Sequence, residues 1–151
     1  MTTIDVAELS TCVGEEIGVS EWIEITQERI TQFAEATEDR QWIHVDPARA
    51  ATESPFKTTI AHGFLTLSLV SVMLRKAITI TGVRMAINYG SNRVRFVAPV
   101  PSGSKVRGRF VLAGMEETGG GVQATWSITV EREGEQKPAC VAEWLVRYYP
   151  G

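Results

Sequence analysis

The segment from Ala61 to Ala77 limits what this chain can fold into more than any other part of it. Phe64, Leu65, Leu67, Leu69, Val70, Val72, Met73 and Leu74 leave it almost no polar face, with Thr66, Ser68 and Ser71 as small polar exceptions. A helix apolar on nearly every side is a buried helix, so the rest of the chain must wrap it. Beyond Ala77 the chain is strand-like. Val83 to Tyr89 reads as one strand, and Asn92 to Phe96 as a second or as its continuation after Gly90. A turn at Pro99–Gly103 precedes two alternating runs, Lys105–Gly114 and Val122–Glu131, joined by the Gly119-Gly120-Gly121 hairpin turn. A further turn at 131–135 leads to a last strand from Pro138 to Tyr149. This order predicts an α+β domain in which a mostly antiparallel sheet wraps one long buried helix. Meandering strands leave edges and an outer face uncovered. A second copy of the chain would cover them, so a homodimer is expected.

The first half of the chain is helical and irregular. Residues 21–25 alternate as a short strand, and Thr26 is placed to cap a helix over 27–37. Ile25 and Ile30 have the spacing of a hydrophobic staple. Ile30, Phe33, Ala34 and Thr37 then mark one helical face. Residues 38–46 have no clean period and read as a loop. Pro47–Ala51 reads as a helical turn with proline at its first position, and 52–59 as irregular.

At 151 residues the chain fits one domain, spanning 1–151, and needs no disulfide or metal to fold. Its net charge of -3 argues against nucleic-acid binding through phosphate neutralisation. Cys12 and Cys140 sit in no metal-ligand spacing and read as two free thiols in a reducing compartment. The first residues carry no basic segment followed by an apolar run, so a cytoplasmic location is expected. The longest apolar stretch is too short and too hydroxyl-rich for a membrane span.

Histidine chemistry has two places to be, His44 and His62. Asp39 and His44 share one short loop, where a carboxylate and an imidazole can converge on a water molecule and exchange protons near neutral pH. The plain alternative is a turn-capping aspartate beside a packing histidine, and spacing alone favours it. Gly63, after His62, opens the buried helix. Its amide can approach a ligand closely and donate to an oxygen gaining negative charge, or the glycine simply permits a tight start to the helix. His62 reads better as a hydrogen-bonded core residue than as a catalyst. Ser68 and Ser71 read as serines bonded back to their own helix, and Arg93 and Arg95 as a solvated face. No nucleophilic-serine, phosphate-loop or zinc spacing is present.

Three segments carry a resemblance: Phe33–Asp46, Ile60–Leu65 and Val94–Val100. With them the chain resembles the MaoC-like dehydratases, or (R)-specific enoyl-CoA hydratases, in their single hot-dog form. It looks closest to the nodulation-protein-N-like branch. The resemblance implies a hot-dog fold, a homodimer, a site near the dimer interface, and an acyl-CoA substrate with no separate cofactor or metal. It puts the family's catalytic pair on Asp39 and His44, its thioester-binding glycine amide on Gly63, and a serine supporting the aspartate loop on Ser71. Gln41 and His62 are expected in support.

One departure stands out. The common family loop reads Asp-x-Asn-Pro-x-His, and this chain has Gln41-Trp42 at the Asn-Pro positions. Glutamine keeps the amide on a longer arm, whereas tryptophan lacks proline's fixed backbone angle. The expected activity is hydration of a trans-2-enoyl-CoA to an (R)-3-hydroxyacyl-CoA. The rivals are a thioesterase of the same fold, and a non-catalytic acyl-thioester binding protein or partner subunit.

Overall fold

A computed structural model describes all 151 residues. Strand β1 (Thr2–Asp5) leads into a 3₁₀ turn, Val6–Cys12, and Asp5 caps that turn by accepting from the Ala7 amide at 2.9 Å. Two short strands come next, β2 (Glu16–Val19) and β3 (Ile23–Glu24), and then three helices, α1 (Gln27–Thr37), α2 (Trp42–Val45) and α3 (Pro47–Glu53). The apolar segment becomes α4 (Gly63–Ser68) and α5 (Val70–Ala77), and runs directly into β4 (Ile78–Thr81). Four long strands complete the chain: β5 (Val83–Arg95), β6 (Lys105–Thr118), β7 (Gly121–Arg132) and β8 (Cys140–Pro150).

The main sheet is antiparallel, in the order β2-β6-β7-β8-β5, with β3 pairing the start of β6. β1 and β4 form a separate parallel pair. The inner face of the sheet closes on α4 and α5, which is the hot-dog arrangement. Phe110, Leu112, Trp126 and Ile128 from the sheet join Leu65, Met73 and Leu74 from the helices in one core. Phe110 and Trp126 meet edge to face at 6.2 Å, and the Trp126 indole donates to the Tyr148 hydroxyl at 3.1 Å. Gly108 lets the helix lie this close, since a Cβ there would come within 2.9 Å of Phe110 and 3.2 Å of the Met73 sulfur.

Several expectations need correction. The long buried helix is two helices interrupted at Leu69, whose amide is shared between the Leu65 and Thr66 carbonyls at 3.1 and 3.2 Å. Ser68 donates to the Phe64 carbonyl at 2.6 Å, the back-bonding that bends helices. Nor is the helix covered on all sides in one protomer, because Phe64 is 68% exposed and Ser68 is exposed. The strand at 21–25 shrinks to Ile23–Glu24, and the irregular run begins only after Glu53. Of the two readings of 83–96, the continuous strand is the one found: Val83 and Arg95 bound one strand, which continues past Gly90 through register shifts at 83/85, 88/90 and 91/93. The first twenty residues, given no elements from the sequence, supply β1, the 3₁₀ turn and β2.

Candidate active site

The site is built on the connection between α1 and α4. Thr26 accepts from the Arg29 amide at 3.1 Å and fixes the start of α1, while Ile25 and Ile30 are fully buried beside it. α1 ends at Glu38, a non-glycine residue in the left-handed region (φ 62°, ψ 20°), which turns the chain out to Asp39. The expected loop at 38–46 holds α2, a single turn too short to show a sequence period. Its bonds run from the His44 amide to the Gln41 carbonyl and from the Asp46 amide to the Trp42 carbonyl, both 3.0 Å. Asp46 then caps α3 through the Arg49 amide at 3.1 Å, with Pro47 at the first helical position.

His44 is buried and held at three points. Its Nδ1 lies 2.7 Å from the Ile60 carbonyl oxygen. A carbonyl only accepts, so Nδ1 carries the proton and the Nε2 lone pair is left free. The His44 carbonyl accepts from Gln27 Nε2 at 2.8 Å, and Gln27 Oε1 in turn accepts from the buried Thr59 hydroxyl. The third constraint is His62, whose ring stacks on His44 with centroids 3.8 Å apart and planes 22° from parallel. His62 Nε2 donates to the Asp39 carbonyl at 2.9 Å, and the Phe33 ring tilts against it with centroids 4.9 Å apart. The Asp39 carboxylate stays exposed, close enough that one polar atom each from Asp39, His44 and His62 falls within 4.8 Å of the others.

Burial holds His44 below the ordinary value of 6.5. The bond to Ile60 opposes this, neighbouring His62 adds to it, and the Asp39 charge works against it. At neutral pH the imidazole is therefore an acceptor. Two histidines and a carboxylate also suggest a metal site, but the ring stacking argues against one. Lone pairs lie in the ring planes, so near-parallel stacked rings aim side by side and do not converge on one ion.

Gly63 follows His62 and opens α4, and its amide has no hydrogen-bond partner in the chain. A Cβ there would come within 2.9 Å of the Phe96 ring, so only glycine lets that ring lie against the helix start. Beside it is a pocket of about 300 Å³ walled by Ile60, Gly63, Thr66, Phe96, Pro99 and Val100.

The remaining expected residues lie apart or contribute little. Ser71 is not at the aspartate loop: it accepts from Arg75 at 2.9 Å and faces an apolar cavity of about 220 Å³ with Leu74 and Trp144. Gln41 is exposed, and its amide reaches Asp39 Oδ1 only at 3.5 Å. Arg93 and Arg95 are exposed. Cys12 and Cys140 are free thiols, and burial pushes Cys140 up to about 11. Gln27, Thr59 and Ile60 were not anticipated. Gln27 looked like a first-turn helix residue, and a carbonyl acceptor leaves no mark in a sequence.

The model of the MaoC like domain family matches residues 8–133. The chain belongs to the MaoC-like family. Among curated proteins, this MaoC-like chain is 58% identical over 144 residues to 3-hydroxyacyl-thioester dehydratase Z of Mycobacterium tuberculosis, covering 95% of each. It is 49% identical over 147 residues to nodulation protein N of Rhizobium leguminosarum bv. viciae, covering 96% of this chain and 91% of that one. Among solved structures, the (R)-hydratase from A. caviae involved in PHA biosynthesis superposes with a TM-score of 0.72 at 26% identity, covering 91% and 98% of the two chains. The chain is thus a hydratase or dehydratase of the MaoC type. No helix is long and apolar enough to cross a membrane.

Proposed function

We propose that this protein adds water across the double bond of trans-2-enoyl-CoA thioesters, giving (R)-3-hydroxyacyl-CoA, and runs the reverse dehydration. The observation that carries this is the locked imidazole. With its Nδ1 proton committed to Ile60, His44 presents Nε2 as an acceptor beside the Asp39 carboxylate. Two acceptors on one side can hold a water by both of its protons. The water oxygen attacks the β carbon as the pair removes one proton. The same pair delivers a proton to the α carbon, so one O–H bond and the C=C π bond break while one C–O and one C–H bond form. During attack, charge builds on the thioester oxygen, and the unpartnered Gly63 amide donates to it. The pocket beside Gly63 gives the apolar part of the substrate a place next to that amide. The R configuration follows the name of the A. caviae relative. The steps need no metal or redox group.

The test is loss of enoyl-thioester absorbance when purified protein meets crotonyl-CoA. Asp39→Asn and His44→Gln are each expected to lose about a hundredfold or more in kcat while remaining folded. Full activity in either folded variant would sink the assignment. Release of free thiol from a saturated acyl-CoA would point instead to the thioesterase.

A further inference from the structure

Trp42 stands in the turn that carries His44, and its indole is used in an unexpected way. The Arg49 guanidinium lies over it, 4.2 Å from the ring centroid, and is held there by Glu53 at 2.9 Å. The Arg49 amide is itself capped by Asp46. The stack therefore ties the start of α2 to the first turns of α3. α2 has only four residues and no side-chain cap, so it cannot hold its shape alone. The backbone at Trp42 is also informative. Trp42 is the first helical residue, its amide makes no hydrogen bond, and Gln41 before it is extended at φ −57° and ψ 138°. Those are the conditions under which proline is tolerated and the residue before it is comfortable. Position 42 demands a fixed helical start and nothing of its amide.

We propose that Trp42 is a positioning residue for His44: its stack on Arg49 fixes the α2 turn, doing through a side chain what proline's ring does through the backbone. This rests on the reading of His44 as part of the acid–base pair, but its structural half stands alone. If α2 loosens, the His44 ring loses register with the Ile60 carbonyl, and the proton is no longer pinned to Nδ1. The titratable groups facing His44 are Asp39 before α2 and His62 at the start of α4, while α1 contributes the uncharged Gln27. None is altered by a change at position 42.

Three variants separate stack from ring: Trp42→Ala has neither, Trp42→Phe keeps an aromatic face, and Trp42→Pro restores the backbone constraint. Crotonyl-CoA hydration gives kcat and KM. Nitrogen NMR of the two imidazoles, distinguished by His44→Gln, gives the His44 tautomer and titration midpoint. Trp42→Ala should lose about tenfold or more in kcat, since small misplacements can cost up to about a hundredfold. Its KM should stay within about twofold, and its His44 should show mixed tautomers. Trp42→Phe and Trp42→Pro should keep the Nδ1–H tautomer and recover kcat to within about threefold of the parent. A folded Trp42→Ala with parental kcat and a locked tautomer would overturn the proposal. So would a Trp42→Pro that behaves like Trp42→Ala or fails to fold. If Trp42→Ala itself does not fold, the tautomer in Trp42→Pro decides. If the parent hydrates no enoyl-CoA, the catalytic reading fails, and the NMR arm still settles whether Trp42 positions the ring.

Discussion

His44 works because of what its neighbours forbid. The Ile60 carbonyl keeps the single proton of the neutral ring on Nδ1, and burial disfavours the imidazolium. Its folded value lies below 6.5, so the acceptor form persists as pH falls through 6.5. The acid limb of kcat/KM is therefore expected to have a midpoint below about 6.5. A limb at 7 or higher would show that His44 is not held neutral. The same depression ties stability to pH. The contribution is complete above 6.5 and is lost as pH drops through the lower folded value, because over that window the unfolded chain takes up a proton that the folded state resists. His62 offers a separate test. Its Nδ1 is buried without a partner, while its Nε2 holds the Asp39 carbonyl. His62→Phe keeps a ring against His44 and Phe33 and removes both nitrogens. Loss of the unpaired atom offsets loss of the bond, so stability should change by less than about 1 kcal/mol. The kcat should nonetheless fall about tenfold as Asp39 loosens. An unchanged kcat would reduce His62 to packing.

The connection from α1 to α2 carries a local conflict. Glu38 ends α1 in the left-handed region, where a residue with a Cβ loses about 1–2 kcal/mol. Glycine has no such cost but gives up about 0.5–1 kcal/mol of chain entropy. Glu38→Gly should then gain about 0.5 kcal/mol and raise Tm by about 1–2 °C in a chain of this length. A lower Tm would mean that the Glu38 side chain contributes something not visible in its contacts. The elements most legible in the sequence were those with a period or a cap. α1 lies where Thr26 and the Ile30-Phe33-Ala34 stripe put it, β6 and β7 lie where alternation put them, and β8 follows the turn expected before it. α2 has no period to read at four residues. β1 and β2 were hidden because each is four residues long and paired to a distant segment, β4 or β6. Asp39, His44 and Gly63 were legible as candidates, but spacing did not favour them until family resemblance was added. The position of Ser71 was misjudged because an unbroken apolar run does not mark that its hydroxyl meets Arg75 and the cavity beside Trp144.

Taken whole, the protomer is unfinished along one side. β5 pairs only with β8, and its other edge runs thirteen residues without a partner. Met85, Ile87 and Tyr89 on that strand, and Phe64 on α4, are exposed. A long free edge with apolar side chains is what a second strand would cover. A homodimer paired along β5 is expected, with a light-scattering mass twice 16.6 kDa. Ile87→Lys should shift the mass toward the monomer and lower hydration with it. A fully active monomer would remove the dimer from the account.

The polar bonds that orient the two histidines end on main-chain oxygens, those of Ile60 and Asp39. No substitution deletes a carbonyl. The residue at 60 is free to drift among side chains of similar bulk while the imidazole keeps its tautomer, and only a shift of the backbone can release it. The proton on His44 is therefore inherited through the shape of the chain, and comparison of residue types at position 60 would not reveal it.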